Sequence, residues 1–406
     1  MSRTVLLAGV AAAATTLTLS GCVANNPEAS ASGSAAALTV AIDDDSCQVS
    51  AATATAGTLT FSITNSGTDV NEFEILADDQ LRIVGEKENI APNQSVDYTV
   101  ALNAGSYYTA CKFQQVGDPV GLAEFTITGE AQAVDADTQE LADAAATNYV
   151  GYIKDQIGQL LPAVQELVAA YESGDDDTAR SLFASTRVFY ERIEPTAESF
   201  GDLDPEIDYR EVDAVAEGLD WTGFHRIEKD LWVPDEDALN SDGTSAWLDW
   251  EPSTDAERVQ FGDQLIANVE ELQSLVTASD FTVSLSDISN GAIGLLDEVA
   301  TSKISGEEDW WSHTDLSDFE ANVQGAEVAY GYVRDIAAAA GDEGASLVDQ
   351  IDSEFDTLDA LLAQYGSIED GFVSYDTLSD AQKKELSDQV NALSEPLSKL
   401  TETVLG

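Results

Sequence analysis

The chain has 406 residues, a length that favours two or three domains with room for a substantial core. Hydrophobic residues make up 44% of it and aromatic residues 8%, which excludes a disordered chain. Lysine and arginine number 17 against 76 aspartates and glutamates, so the net charge is −59. Such a surface repels phosphate groups and excludes a nucleic-acid-binding protein. The acidity is typical of a halophilic protein, and it also suits a protein that binds metal cations.

The first 37 residues are typical of a secretion signal followed by a tether. Arg3 precedes a short apolar run, Val5–Leu19, which is too brief to span a membrane. The run ends in Leu19-Ser-Gly-Cys22, which resembles a bacterial lipobox, so we expect removal of residues 1–21 and lipidation of Cys22. Residues 22–37, rich in Ala, Ser and Asn, then form a flexible tether. The alternative is a plain secretory signal with a chance cysteine.

Residues 38–129 alternate apolar and polar side chains between turn sequences, the pattern of short β-strands. Several such strands in a segment of this length predict an antiparallel β-sandwich. Residues 130–137 form an acidic, alanine-rich linker after it. The expected strands are Leu38–Ile42, Thr58–Ile63, Glu72–Leu76, Val96–Leu102, Tyr107–Cys111 and Ala123–Thr128.

From residue 138 to residue 406 apolar side chains recur every three or four positions, which indicates amphipathic helices. Their number and length predict an all-α domain of two packed four-helix bundles. Residues 233–253 interrupt the pattern as an acidic insertion, which we expect Trp247 and Trp250 to anchor. The expected helices are 138–172, 176–200, 209–230, 254–279, 285–303, 315–340, 343–365 and 378–404.

Apart from Cys22, the chain has two cysteines, Cys47 and Cys111, and both lie in the predicted sandwich. In an oxidising compartment an even pair within one small domain favours a disulfide. The alternative is a pair of thiolate metal ligands.

The chain has two histidines, His225 and His313. His225 stands in Gly223-Phe-His-Arg-Ile-Glu228, and on a helix His225 and Glu228 lie one turn apart on the same face. An imidazole and a carboxylate in this arrangement can bind a divalent or trivalent cation. Because nearly one residue in five is acidic, the spacing alone is weak evidence. The alternative is a partly buried histidine bonded to a local carboxylate.

Basic and acidic residues are both concentrated around this motif. Six of the 17 basic residues lie between Arg180 and Lys229, where we expect them to neutralise crowded carboxylates. Glu191 and Glu194 form a second acidic pair at helical spacing. His313 also lies among acids, and a structural or supporting role is favoured over direct ligation. One imidazole among many carboxylates is a donor set that suits iron.

Six stretches match one protein family in the family's order, and the match covers nearly everything from residue 38 to residue 404. The chain resembles the iron-binding extracytoplasmic component of EfeUOB-type iron-uptake systems, in which a cupredoxin-like domain precedes an imelysin-like, peptidase-family domain. It departs from the family in the 233–253 insertion and in its extreme acidity. The stretches are Glu72-Phe-Glu-Ile-Leu76, Glu88-Asn-Ile-Ala-Pro92, Tyr190-Glu-Arg-Ile-Glu-Pro195, Gly223-Phe-His-Arg-Ile-Glu228, Ser302-Lys-Ile-Ser-Gly-Glu-Glu-Asp309 and Ser312-His-Thr-Asp-Leu316.

The resemblance implies a metal site in the helical domain. His225 and Glu228 match the family's His-x-x-Glu metal motif, and three further acids are expected to complete the site, with Glu308 favoured over Glu307. His313 and Arg226 are expected to support the ligands from behind. The expected ligands are His225, Glu228, Glu194, Asp208 and Glu308.

The resemblance also implies the cargo, the partners and the location. The cargo is iron, as Fe²⁺ or Fe³⁺, and the site could also take other divalent cations such as Zn²⁺ or Cu²⁺. The expected partners are a membrane iron permease and a haem-dependent peroxidase of the same uptake system. The protein would work outside the cytoplasm, at the cell surface or in the periplasm, with a lipid anchor as its only membrane contact. It would carry iron without being an enzyme.

A blue-copper site in the cupredoxin-like domain is excluded by its residues. Such a site needs two histidines, a cysteine and usually a methionine, whereas no histidine precedes His225 and the only methionine is Met1. Strand periodicity places Glu72 and Glu74 on one face. A second cation site and a disulfide with solvated acids both remain open. The residues of the second cation site would be Cys47, Glu72, Glu74, Glu88 and Cys111.

Two other functions remain open as alternatives to an iron carrier. An imelysin-like metallopeptidase is the first, although zinc peptidases use a His-Glu-x-x-His motif. The two histidines of this chain are too far apart in sequence to form that motif. The second is a halophilic adhesion or polysaccharide-binding module in which the acids are merely solvated.

Overall fold

The computed structural model describes residues 38–114, 119–130, 136–201, 203–301 and 303–406. The predicted signal peptide 1–21, the tether 22–37 and the lipidation site Cys22 lie outside the described residues. Within these ranges a β-sandwich precedes a helical domain, as the predicted fold class requires. None of the helices in these ranges combines the length and the apolar character that crossing a bilayer needs.

The sandwich consists of two sheets, and the chain passes repeatedly from one to the other. Its strands are β1 Leu38–Ile42, β2 Cys47–Val49, β3 Thr53–Thr55, β4 Gly57–Asn65, β5 Asn71–Leu76, β6 Ile83–Ile90, β7 Ser95–Leu102, β8 Gly105–Phe113 and β9 Val120–Thr128. One sheet has the order β2-β1-β4-β7 and the other β3-β9-β8-β5-β6. Most pairs are antiparallel, as predicted, but β1 with β4 and β3 with β9 are parallel. The parallel pairs arise because the chain crosses between the sheets before it returns beside an earlier strand.

The core of the sandwich lies between the two sheets. The ring of Phe61 is centred 5.2 Å from that of Phe73 and 5.8 Å from that of Phe125. Cys47 and Cys111 form a disulfide at this core, with their Cα atoms 5.9 Å apart. The alternation of β5 places Phe73 in the core and its acidic neighbours on the opposite face of the sheet.

The helical domain begins with one long helix and contains several helices shorter than ten residues. The helices are α1 Ala136–Ser173, α2 Asp176–Glu191, α3 Glu194–Glu198, α4 Leu203–Asp208, α5 Glu211–Glu217, α6 Gly223–Leu231, α7 Asp255–Thr277, α8 Leu285–Thr301, α9 Asp315–Ala339, α10 Asp342–Leu362, α11 Asp380–Leu397 and α12 Leu400–Leu405. Two groups of four long helices account for most of the packing, and α9 belongs to both. It packs on α1 and α2 on one side and on α8 and α10 on the other. One continuous hydrophobic core therefore joins the two bundles.

Three of the predicted helices are interrupted. The helix expected over 176–200 breaks before Pro195, which occupies the first turn of α3. The one expected over 209–230 breaks at Gly218, which has the left-handed conformation (φ 71°) that often ends a helix. The last one breaks at 398–399, just after Pro396. The first two breaks bend the chain between α2 and α6, and the bends bring separate acidic residues together.

The insertion 233–253 is anchored by its tryptophans, as predicted. The Trp247 and Trp250 rings pack edge to face at 5.2 Å, and Trp247 Nε1 donates to the Asp235 carbonyl. Trp250 is buried, and the ammonium of Lys229 lies 4.8 Å from its ring centre. The insertion therefore covers one side of α6.

The sandwich packs on the helical domain through β6 and β7, which lie against α8. Asn290 Nδ2 donates to the Thr99 carbonyl at 3.1 Å, and Lys87 pairs with Asp297. Lys112 of β8 pairs with Glu217 at 3.0 Å. Between these contacts lies a cavity of about 570 Å³, with walls from both domains.

Candidate metal centre

The centre is built around α6, whose nine residues are all buried. The helix begins at Gly223, where φ is +82° and a Cβ atom would lie 2.1 Å from the Ile207 carbonyl oxygen. Only glycine fits this close approach between the start of α6 and the end of α4. The approach brings Asp208, the last residue of α4, beside His225 in the first turn of α6.

The His225 imidazole is 2% exposed and has carboxylates at both ring nitrogens. Its Nε2 lies 3.3 Å from Glu308 Oε1 and 3.6 Å from Asp208 Oδ1. Its Nδ1 lies 3.0 Å from Glu228 Oε2 and 3.9 Å from Asp309 Oδ1. The histidine therefore sits between two pairs of acids, one pair at each nitrogen.

Glu228 is held by contacts that fix its orientation. One carboxylate oxygen, Oε1, accepts hydrogen bonds from the backbone nitrogens of Trp311 (3.0 Å) and Ser312 (2.7 Å). The other faces His225 Nδ1. A carboxylate bonded to Nδ1 sets the orientation of an imidazole and leaves Nε2 for a metal ion. The geometry therefore favours Nε2, with Asp208 and Glu308, as the position for a cation.

Arg187 supplies the buried positive charge of the centre. It is fully buried, its Nη2 bonds Glu191 at 2.5 Å and Glu308 at 3.2 Å, and its Nε bonds Asp318 at 2.9 Å. It also pairs with Asp208. Its position agrees with the expectation that basic residues of this region neutralise crowded carboxylates.

Lys303 is a second fully buried base, which sequence reasoning did not identify. Its Nζ lies 2.7 Å from Glu191 Oε2 and 2.8 Å from Glu194 Oε2. Asn322 Nδ2 donates to the same two oxygens at 3.2 and 3.1 Å. Glu194, an expected ligand, therefore faces an ammonium group in this structure.

Three sets of donor atoms in the described chain are close enough to hold a cation, with all atoms of a set within 4.8 Å of one another. All their members are buried, and Asp309 Oδ1 has no hydrogen-bond partner within the described residues. Buried carboxylate oxygens with one imidazole fit a hard cation such as iron. The sets are Asp208 with His225 and Glu308, His225 with Glu228 and Asp309, and Glu191 with Glu194 and Asp208.

The charges of the centre are set by burial and by these neighbours. Burial and the charge of Arg187 oppose protonation of His225, but the adjacent carboxylates outweigh both and raise its pKa to about 10. Burial raises the pKa of Asp208 to about 6 despite Arg187. Burial acts against ionisation of Glu308 too, yet Lys303 and His225 hold its pKa well below the usual range. Between these values the imidazolium of His225 faces the ionised carboxylates of Asp208 and Glu308.

The structure brings four of the five expected ligands together, and the fifth, Glu194, lies in the adjacent set around Lys303. Glu308 faces His225, whereas Glu307 is half-exposed near Arg210. Sequence reasoning missed Asp309, Asp315 and Asp318 as buried acids of the centre; the acid-rich run from residue 307 to residue 320 was the available signal.

Of the two expected supporting residues, His313 has a structural place in the chain, and Arg226 is placed differently from the prediction. His313 has φ +58°, and its backbone bonds Asp309 and Tyr375, so it shapes the turn before α9. Arg226 pairs with Asp230 at 2.8 Å and lies 4.5 Å from the centre of the Phe261 ring. Arg226 therefore stabilises the opposite side of α6 and does not stand behind the ligands; Arg187 has that position.

Of the two alternatives left open for the sandwich, a second cation site and a disulfide, the structure contains the disulfide. Cys47 and Cys111 are joined as a disulfide in the core, so neither offers a free thiolate. Glu72, Glu74 and Glu88 do not share that core with them, because alternate residues of a strand face opposite sides of the sheet. The glutamates line the cavity between the domains instead. Burial and the neighbouring Glu72 raise the pKa of Glu74 to about 8.

The cavity between the domains is strongly acidic. Thirteen of its 25 lining residues are aspartate or glutamate, and two, Lys112 and Arg210, are basic. Asp208 and Glu308 belong both to this lining and to the set around His225. The acidic lining of the cavity therefore extends up to the set around His225.

Comparison with known proteins agrees with the order of the two domains. The profile of the imelysin family matches residues 145–400, and that of the cupredoxin-like domain matches residues 9–121. The chain is 38% identical to the iron uptake system component EfeO of Escherichia coli O157:H7 over 365 residues, 89% of both chains. It is 37% identical, with the same coverage, to the EfeO proteins of Escherichia coli strain K12 and of Shigella flexneri. The chain belongs to the EfeO family of iron uptake system components, with a cupredoxin-like region followed by an imelysin region.

Proposed function

We propose that this protein captures iron outside the cytoplasmic membrane and delivers it to a membrane permease. The observation that carries the proposal is the buried His225, whose Nε2 faces Asp208 and Glu308. In this proposal these three residues bind iron, as Fe²⁺ or Fe³⁺, and Glu228 orients the imidazole. Zn²⁺ and Cu²⁺ are further ions that such donors accept.

The acidic cavity supports entry and release of the cargo. Its carboxylates attract cations from solution. They line the cavity as far as Asp208 and Glu308. The similar proteins are named as components of an iron uptake system, so we assign the delivery step to a permease of such a system. A haem-dependent peroxidase is the other expected partner. Lipidation of Cys22 would hold the protein at the membrane, in the periplasm or at the cell surface.

In this proposal the protein is a carrier and not an enzyme. A zinc peptidase uses a glutamate between two ligand histidines to activate water. Here the glutamate nearest to His225 is bound to two backbone nitrogens and to the imidazole, so it is not free to act as a general base. The donors around His225 serve to hold a cation.

The test is a titration of the mature chain with Fe²⁺ under anaerobic conditions, read by calorimetry. It is done in about 1 M KCl, where the screening length falls to about 3 Å and weak surface binding is suppressed. We expect one tight site in wild type and a loss of affinity by orders of magnitude in His225→Ala. His313→Ala removes the other histidine and should weaken binding by no more than about tenfold. Equal binding by wild type and His225→Ala would show that the site is elsewhere.

A further inference from the structure

A second set of buried carboxylates adjoins the proposed iron position and shares one residue with it. Glu191, Glu194 and Asp208 are buried, and their ligand atoms lie within 4.8 Å of one another. Asp208 also belongs to the set with His225. Two cation positions that share a carboxylate are the arrangement of two-metal sites in helical bundles. The fold therefore offers room for a second ion next to the first.

The ammonium group of Lys303 occupies this second position. Its Nζ lies 2.7 Å from Glu191 Oε2, 2.8 Å from Glu194 Oε2 and 3.7 Å from Glu298 Oε2. The side chain is fully buried, so no solvent competes for these oxygens. The ammonium thus meets the oxygens that a metal ion in this position would bind.

Asn322 gives an independent sign that this position is built to bind a cation. The residue is fully buried, and its Nδ2 donates to the Glu191 carbonyl at 2.8 Å and to both glutamate carboxylates, while its Oδ1 has no partner within the described chain. A buried acceptor without a partner is costly. Rotation of the amide by half a turn would give up the bond to the Glu191 carbonyl and turn Oδ1 toward the cation between the two carboxylates.

We propose that Lys303 is a built-in cation that limits the centre to a single metal ion. This inference rests on the proposed function, since it assumes that the position at His225 takes iron. With a neutral residue at 303, Glu194 would be buried without its counter-charge, and Glu191 would keep only its pair with Arg187. A divalent cation would then replace the ammonium, and Asp208 would lie between two ions. Lys303 therefore determines stoichiometry, and it keeps the carrier from holding two ions that it would have to release together.

The test counts Mn²⁺ ions bound by the full mature chain. Wild type, Lys303→Met and Lys303→Gln are titrated with Mn²⁺ in about 1 M KCl, where surface binding is screened. The bound metal is then measured after desalting. We expect one ion in wild type and two in both variants, with an electron paramagnetic resonance spectrum of coupled manganese in the variants alone. Lys384→Met, on an exposed helix face, is the matched control and should keep one ion.

Further variants and a folding readout make each outcome decisive. The double change Lys303→Met with Glu194→Gln removes one donor of the second position and should return the count to one. Lys303→Met should melt at a lower temperature without metal and recover with Mn²⁺, because the ion replaces the lost charge. One ion in a folded Lys303 variant, or failure of both variants to fold at any Mn²⁺ concentration, overturns the inference. Absence of binding in wild type would instead contradict the proposed function.

Discussion

Arg187 is a positive charge without access to solvent, and several buried carboxylates depend on it. It bonds Asp208, Glu191, Glu308 and Asp318. Glu191 and Asp318 are fully buried, whereas Asp208 and Glu308 also line the cavity between the domains. Removal of one partner from a buried ion network leaves uncompensated charge, which costs about 3–5 kcal/mol. The network thus holds α2, α4 and α9 in register around the centre.

We therefore predict that Arg187→Met lowers the free energy of unfolding by about 3–5 kcal/mol. The measurement is urea unfolding of the metal-free protein at constant salt. The control is Arg334→Met, because Arg334 and Asp352 form a pair on the surface and exposed pairs contribute at most about 1 kcal/mol. Equal losses in the two variants would contradict a central role for Arg187.

The protonation of His225 predicts how metal binding depends on pH. Its pKa is raised to about 10 in the metal-free protein, whereas Asp208 titrates near 6. Between these values each bound ion must displace the imidazole proton. We expect the affinity for Mn²⁺ to rise about tenfold per pH unit from pH 7 to pH 9, measured by calorimetry in buffers of different ionisation enthalpy. An affinity that does not change with pH would place the ion away from His225.

The raised pKa of His225 also makes the stability of the fold depend on pH. A histidine with a folded pKa near 10 and an unfolded pKa near 6.5 stabilises the fold fully below pH 6.5. That contribution is lost as the pH rises through 10. The metal-free wild type should therefore lose more stability than His225→Ala does over this interval.

At the scale of the elements, the contact between α4 and α6 positions two proposed ligands. A methyl group at Gly223 would clash with the Ile207 carbonyl, one residue before Asp208. We predict that Gly223→Ala weakens Mn²⁺ binding at least tenfold, although Gly223 touches no cation, because the change displaces Asp208 from His225. The measurement is the same titration.

Gly218→Ala is the matched control for that prediction. Gly218 also has a positive φ, +71°, but a Cβ atom there would meet nothing within 4 Å. The control therefore carries the backbone strain without the clash. If both variants bind Mn²⁺ equally, the close approach of α4 does not position the ligand.

The sequence predicts those helices and strands in which apolar residues recur at a regular spacing. The long helices and six of the strands follow from the repeat of apolar residues, and the pairing of His225 with Glu228 follows from the helical turn. The sequence did not predict β6, because apolar and polar residues do not alternate regularly in Ile83–Ile90. In the structure this strand pairs with β5 through bulges. The placement of Arg226 could not be predicted, because all nine residues of α6 are buried and its sequence does not show which polar residues face the centre.

The partners in the centre are set by tertiary structure. Lys303 meets Glu191 across 112 residues and Glu194 across 109, and no local pattern encodes such pairs. The same holds for Arg187 and Asp318, which are 131 residues apart. Sequence indicated that acids and bases gather near His225, but which acid would face which base depends on how α2, α3 and α9 pack.

At the scale of the molecule, the disulfide and the candidate centre belong to different domains. Cys47–Cys111 closes a span of 64 residues within the sandwich. We predict that the change of both cysteines to alanine lowers the stability of the sandwich by about 2–5 kcal/mol. The affinity of the centre for Mn²⁺ should stay unchanged in the same variant. If this variant also loses affinity for Mn²⁺, the cysteines contribute to a metal site.

Because α9 serves both helix bundles, a cut in the chain between α7 and α8 should not divide the molecule. The connection 278–284 is partly exposed and accessible to a protease. The N-terminal fragment would keep α1, α2 and α7 but lack the helix that fills their groove. The C-terminal fragment would carry α9 with an apolar side that nothing else covers. The two fragments should therefore stay associated after cleavage, as a folded protein made of two chains. They should separate only in denaturant.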